Sequence, residues 1–230
     1  MNSVEFLGLE GSLGVKERQE RERVATSRAI LDAARDLFVA EGYQNVSIRK
    51  IAEKIEYSPA AIYSYFPSKD DIFLALTEEG FRMLFASASA DCAVSPVPNA
   101  SRVECIRAAF WELYTFSKNH PEYFSLMFVD RSVPRISQDW QRFGFVREMR
   151  HRIADMIQQA IDAEDFPKSS NPDAIFRVLS AAIHGVAVMR LCDRIMPGED
   201  MDALAHDTLE AALTGLRAGF AHTYTCHSCL

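Results

Sequence analysis

Apolar positions first take on a helical period at Ile30, Ala33, Ala34, Leu37 and Phe38, which fall at i, i+3, i+4, i+7 and i+8 and so share one face of a helix. Gly42 stands just past that stripe, where a helix C-cap favours a residue free to take positive φ. Ser47 precedes Ile48, Ile51, Ala52 and Ile55, an N-cap followed by a short amphipathic helix that ends near Lys54 or Ile55. Glu56 and Tyr57 make a turn and Ser58 caps again. Pro59 then takes the first helical position, where its missing N–H and fixed φ are harmless. Pro67 disfavours helix for the residue before it, so this third helix stops by Tyr65 or Phe66. Ser68 opens a fourth, with Asp70 and Asp71 in its first turn. Two short helices joined by a tight turn behind a longer one predict a helix-turn-helix.

The remaining pattern is also helical. KERQERER, after a Gly- and Ser-containing start, has no apolar period, so residues 1–20 are expected to be a flexible tail that turns helical near its end. VSPVPNAS is a linker, Val103 to Phe116 an aromatic amphipathic helix, and PEYFSLMFV a short helix opened by Pro121. DRSVPRISQ reads as a loop. Helices follow over Asp139–Ala163, from Asn171 and Pro172 to about Cys192, and over Met201–Phe220. No stretch alternates and no hairpin dipeptide appears, so the fold class is all-α: a three-helix helix-turn-helix domain over 21–70, a helical domain over 71–222, and a tail over 223–230.

Charge sharpens the division. The formal net charge is -7, which argues against a chain that binds nucleic acid over its whole surface. Residues 16–70 hold ten Lys+Arg against nine Asp+Glu, whereas 71–230 hold 15 against 21. Only the first domain can approach a polyanion, through a local face. There Ser58, Pro59, Ala60 and Ala61 are small enough to bring a helix end against base edges, and Tyr63 and Tyr65 carry hydroxyls suited to phosphate oxygens. Lys69, beside the free N–H groups after Ser68, adds a cation. Ile62 and Phe66 anchor the helix to its core.

VSIRKIAEKIEYSPAAIYSYFPSKDDIFLAL, with ILDAARDLFVAEGY ahead of it, resembles the DNA-binding domain of the TetR family of transcriptional repressors over about residues 26–76. The turn departs from the family's pattern, since Glu56 and Tyr57 stand where Gly and an aliphatic residue are usual; a modest φ strain or a different turn shape is expected there. The resemblance implies that Ser47, Tyr63 and Lys69 touch phosphate and that Arg49 reaches a base edge. It further implies a second domain that dimerises and binds a small inducer. AAIHGVAVM resembles a His-Gly pattern of some of these regulatory domains, with Gly185 permitting close helix crossing in a dimer interface built from the last two long helices. The expected partners are double-stranded operator DNA, a second copy of the chain, and an apolar or aromatic small-molecule effector. Phe110, Trp111, Tyr114, Phe128, Trp140, Phe143, Met149 and His184 are the candidate wall of its pocket, each of them equally an ordinary core residue. The alternative is a DNA-binding dimer without an inducer, whose second domain serves dimerisation or a protein partner.

Other chemistry finds little material. His151 with Asp155, and Asp202 with His206, lie at i, i+4, but two ligands fall short of a zinc site. Cys226-x-x-Cys229, with His222 and His227 nearby, is a lone CxxC at the chain end. No GxxxxGK[ST], GxSxG or HExxH is present, so no enzyme, metal or cofactor is expected. Five irregularly spaced cysteines fit a reducing compartment. With neither a signal-peptide pattern nor an apolar run of membrane length, a cytoplasmic location is expected.

Overall fold

The computed structural model describes residues 5–93, 101–134 and 141–219, with the side chains of 5–14 and 87–93 left aside. Among the described residues every regular element is helical: α1 (Glu5–Glu41), a 3-10 turn (Tyr43–Asn45), α2 (Ile48–Lys54), α3 (Pro59–Tyr63), α4 (Lys69–Ala93), α5 (Arg102–Asn119), α6 (Pro121–Phe124) continued by a π-helix (Ser125–Val129), α7 (Gly144–Asp162), α8 (Pro172–Leu191) and α9 (Met201–Ala218). The all-α expectation holds. The chain divides into two compact units, Met1–Leu76 with Asp130–Pro134, and Thr77–Val129 with Arg135–Leu230. The first unit thus runs six residues beyond the expected boundary at 70 and takes in a short return of the chain at 130–134.

In the first unit four of the five stripe positions are buried and Leu37 is half-buried: Ile30, Ala33, Ala34 and Phe38 of α1 join Tyr43, Val46, Ile48, Ile51, Ala52, Ile62, Ile72, Phe73 and Leu76 in the core. The caps follow the local chemistry. Ser47 Oγ accepts from Lys50 N at 3.2 Å, Ser58 Oγ from Ala61 N at 3.1 Å and Ser68 Oγ from Asp71 N at 3.1 Å. Gly42 takes φ 80°, which only glycine adopts without strain, and its N–H donates to Phe38 O at 2.9 Å to close α1. A flexible tail is expected to about residue 20, but α1 is helical from Glu5. Residues 16–23 are good helix formers, and Arg18 pairs with Glu22 at 3.6 Å. The first described side chains of that extension, residues 15–25, are exposed.

The expected strain in the turn is present: Glu56 sits at φ 60°, in the left-handed region, while Tyr57 N donates to Ala52 O at 2.9 Å. A non-glycine residue there is disfavoured by about 1 kcal/mol. Glu56 is exposed, so its side chain holds no core contact. Glu56→Gly is therefore expected to stabilise the protein by up to about 1 kcal/mol, less the greater freedom of glycine in the unfolded chain. Urea denaturation checks it, and a lowered midpoint would show that Glu56 is held by something other than the turn.

The second unit is a helical assembly in which α8 packs against α5, α7 and α9; this packing accounts for the apolar composition along α8. Ser101 and Glu104 form a reciprocal capping box at the start of α5, and Asn171 and Asp200 cap α8 and α9. Ile106, Phe110, Tyr114, Phe116, Phe124, Ile157, Leu179, Ile183, Ala187, Leu209 and Leu213 form its core. The helix expected from Asp139 begins at Gly144, because residues 141–143 form a turn with Phe143 at the N-cap. Gly219, at φ 79°, caps α9 after Ala218, two residues short of the expected Phe220. The π-helical register of Ser125–Val129 has no counterpart in the expected elements. On α4, Gly80 lies against it, where an added Cβ would overlap Met127 Sδ.

Candidate nucleic-acid interface

α2 and α3 turn their apolar residues, Ile48, Ile51, Ala52 and Ile62, into the first unit. What remains outside is Ser47, Arg49, Ser58, Pro59, Ala60 and Tyr63, all exposed, with Tyr65 half-buried. Tyr63 is 54% exposed, so it does not fill the core. Ser47 Oγ is an acceptor in its cap, which leaves its hydroxyl hydrogen available as a donor. Arg49 Nε pairs with Glu53 Oε1 at 2.8 Å, yet the arginine side chain is 80% exposed. Such a surface pair is worth well under about 1 kcal/mol and exchanges readily for a stronger acceptor.

The other cations near this face are held. Lys54 Nζ lies 3.2 Å from Asp36, and Lys50 pairs with Glu41. Arg28 hydrogen-bonds Asp32 and, with Arg35, holds that carboxyl below the usual aspartate range against the opposing effect of burial.

Lys69, which the resemblance assigns to a phosphate, also has partners inside the unit: its ammonium donates to Tyr43 O at 2.8 Å and Val46 O at 3.0 Å and lies 4.1 Å from the Tyr43 ring centroid. Burial lowers its pKa, with Asp70 opposing the effect. Two of its three donors bind the 3-10 turn to α4, so Lys69 is first a strut of the unit. These partners lie 26 and 23 residues away in sequence, beyond the reach of local pattern.

The seven described residues of the eight proposed as one pocket wall separate in the second unit. Tyr114 is buried and donates to Asp202 Oδ1 at 2.8 Å; burial and then this bond raise its pKa. Asp202 also takes Lys118 Nζ at 2.6 Å, and these two bonds lower its own pKa. Trp111 lies 5.3 Å from the Tyr114 ring and 6.2 Å from His206, while Phe110 faces Phe176 at 5.9 Å. These three therefore join α5 to α8 and α9. Phe128 and His184 do meet, with ring centroids 4.8 Å apart. Phe143 connects to them through Phe145 at 5.8 Å, Phe145 to Phe81 at 5.7 Å, and Phe81 to Phe128 at 5.6 Å. Met149 is half-buried on α7, and Trp140 lies outside the described residues. Sequence reasoning missed Phe81, Phe124 and Phe145. The aromatic spacing of PEYFSLMFV held the signal for Phe124, 5.9 Å from His184.

No group of three or more candidate metal ligands occurs among the described residues. Of the i, i+4 pair Asp202 and His206, His206 lies 3.6 Å from Asp207 and Asp202 is engaged by Tyr114 and Lys118. The Cys226 and Cys229 tail lies outside the described residues.

Residues 30–76 match the family model described as bacterial regulatory proteins, tetR family, and residues 106–212 that described as tetracyclin repressor-like, C-terminal domain. The HTH-type transcriptional repressor Rv1474c of Mycobacterium tuberculosis is 37% identical over 70 residues, a match that takes in 30% of this chain and only 37% of that protein's length. The HTH-type transcriptional regulator TcmR of Streptomyces glaucescens is 23% identical over 210 residues, 89% of this chain and 87% of that one. The crystal structure of the transcriptional regulator FadR of Bacillus subtilis in complex with stearoyl-CoA shares the fold, with a TM-score of 0.67 at 15% identity over 82% of this chain and 98% of that one. With a helix-turn-helix matched at one end and the regulatory domain at the other, the chain belongs to the TetR family of transcriptional regulators.

Proposed function

We propose that the chain is a homodimeric repressor that holds a pseudo-palindromic operator through α2 and α3 and is released when an apolar or aromatic molecule binds among the helices of its second unit. The carrying observation is the exposed set Ser47, Arg49, Ser58, Pro59, Ala60 and Tyr63 on two short helices whose apolar sides are buried. In that set Arg49 reads a base edge, and Ser47 and Tyr63 bind phosphates. Tyr65 and the remaining donor of Lys69 complete the phosphate contacts. One head makes few base contacts, so two copies on half-sites about one turn apart, or a multiple of it, supply the affinity.

Dimerisation is assigned to α8 and α9. Ala181, Gly185 and Met189 on α8, and Leu204, Ala211, Gly215 and Ala218 on α9, form exposed uncharged rows in which all but Met189 and Leu204 are Ala or Gly. An added Cβ at Gly185 or Gly215 would meet nothing within 4 Å. Two such faces can approach closely about a two-fold axis. Release is a shift in population: the effector favours an arrangement in which the two heads no longer fit neighbouring half-sites. α4 carries both Lys69 and Phe81, and is the link through which binding is felt.

Fluorescence anisotropy on a labelled operator, titrated against salt, tests the reading. Specific binding must fall steeply as salt rises, because phosphate contacts release counterions; a flat response would sink it. In the same assay Arg49→Ala is expected to relax discrimination at one base-pair position by about 1 to 3 kcal/mol. A uniform loss across all sequences would reassign Arg49 to the backbone.

A further inference from the structure

His184 lies on α8 with Nδ1 2.7 Å from Ser180 O. A carbonyl oxygen only accepts, so Nδ1 carries the hydrogen and the neutral ring keeps its lone pair on Nε2. Burial, and after it the charge of Arg177, depresses the pKa of the ring, with the Ser180 bond acting in the opposite sense, so His184 is neutral at pH 7. Nε2 has no hydrogen-bond partner among the described residues. Around the ring stand Phe128 at 4.8 Å and Phe124 at 5.9 Å, extended by Phe81 and Phe145. Phe128 belongs to the π-helix Ser125–Val129, an irregularity found frequently at functional sites.

A largely apolar wall with one fixed acceptor selects by chemistry. An ionised carboxylate would set acceptor against acceptor, and a hydrocarbon or ether would leave the nitrogen desolvated without a donor. We propose that His184 Nε2 is the polar anchor of an effector site walled by Phe81, Phe124, Phe128 and Phe145, and that the effector is a largely apolar molecule presenting a hydroxyl donor, as a phenol or an alcohol does, to that nitrogen. The inference rests on the ligand-responsive reading above and narrows it to one ligand class.

Isothermal titration calorimetry on the full chain tests it with 2-naphthol, 4-phenylphenol and 1-decanol, each against its methyl ether. At least one hydroxyl compound is expected to bind about tenfold tighter than its ether, the usual scale for leaving one buried acceptor unpaired. His184→Asn keeps an amide donor for Ser180 O but has no acceptor at the Nε2 position, and the ratio falls to about one. His184→Gln reaches that position with its amide oxygen and retains a preference for the hydroxyl. Equal affinities within every pair, no binding by any of the six, or an undiminished ratio in His184→Asn overturns the proposal. The comparison on the unmodified chain stands even where a variant fails to fold. Salt-dependent operator binding without any probe separates the outcomes: if it is steep while the hydroxyl preference is absent, only this inference falls.

Discussion

Gly185→Glu is expected to leave the protomer folded and to lower operator affinity about a thousandfold, within the range by which joining two sites raises binding. Inside the protomer the substitution meets no obstacle, since a Cβ at this position has nothing within 4 Å. Glutamate is also a better helix former than glycine by somewhat under about 1 kcal/mol, so thermal stability of the protomer should hold or rise. Between two copies the effect reverses. In the dimer proposed here, a two-fold axis through α8 and α9 would set each added carboxylate against the other copy's face, where a charge loses water without gaining a partner. Sedimentation equilibrium should show a dimer for the unmodified chain and monomer for the variant, and anisotropy on a two-half-site operator should show the loss. A dimeric variant with undiminished affinity would place the interface elsewhere.

Tyr43→Ala is expected to destabilise the first unit by about 4 kcal/mol, the scale of removing a buried aromatic ring. Few side chains here combine so many roles. The Tyr43 ring lies 5.0 Å from Phe38 and 5.6 Å from Phe73, its hydroxyl donates to Asp70, and the Lys69 ammonium sits over its face while bonding its carbonyl. Tyr43→Phe keeps the ring and forfeits only the hydroxyl bond, and should cost about 1 kcal/mol. Urea denaturation followed by circular dichroism separates the two. Operator binding should fail with Tyr43→Ala while the dimer survives, because the residues assigned to dimerisation belong to the other unit. Similar losses for the two variants would mean that the ring contributes little and the hydroxyl nearly everything.

The divergent turn shows how far local pattern reaches. The resemblance to the family, in which Gly and an aliphatic residue are usual where Glu56 and Tyr57 stand, implied a φ cost or a different turn shape, and the backbone takes positive φ at Glu56. The ends of α2 and α3 were equally legible, because a serine cap acts within three residues and a proline on its immediate neighbours. For the π-helix at Ser125–Val129 local pattern is no guide, since PEYFSLMFV suits either helical register and Met127 against Gly80 belongs to packing.

By itself the sequence determined the all-α class, the helix-turn-helix with its caps, and the exposed residues of α2 and α3, because periodicity and capping act over three or four positions. Only the tertiary structure decided that Lys69 braces the Tyr43 turn, that Tyr114 belongs to Asp202, 88 residues away, and that Phe124 and Phe128 meet His184 while Phe81 and Phe145 continue the row from Phe128. Those partners are selected by how whole helices pack, and a side chain at helical spacing carries no mark of which distant helix it will meet.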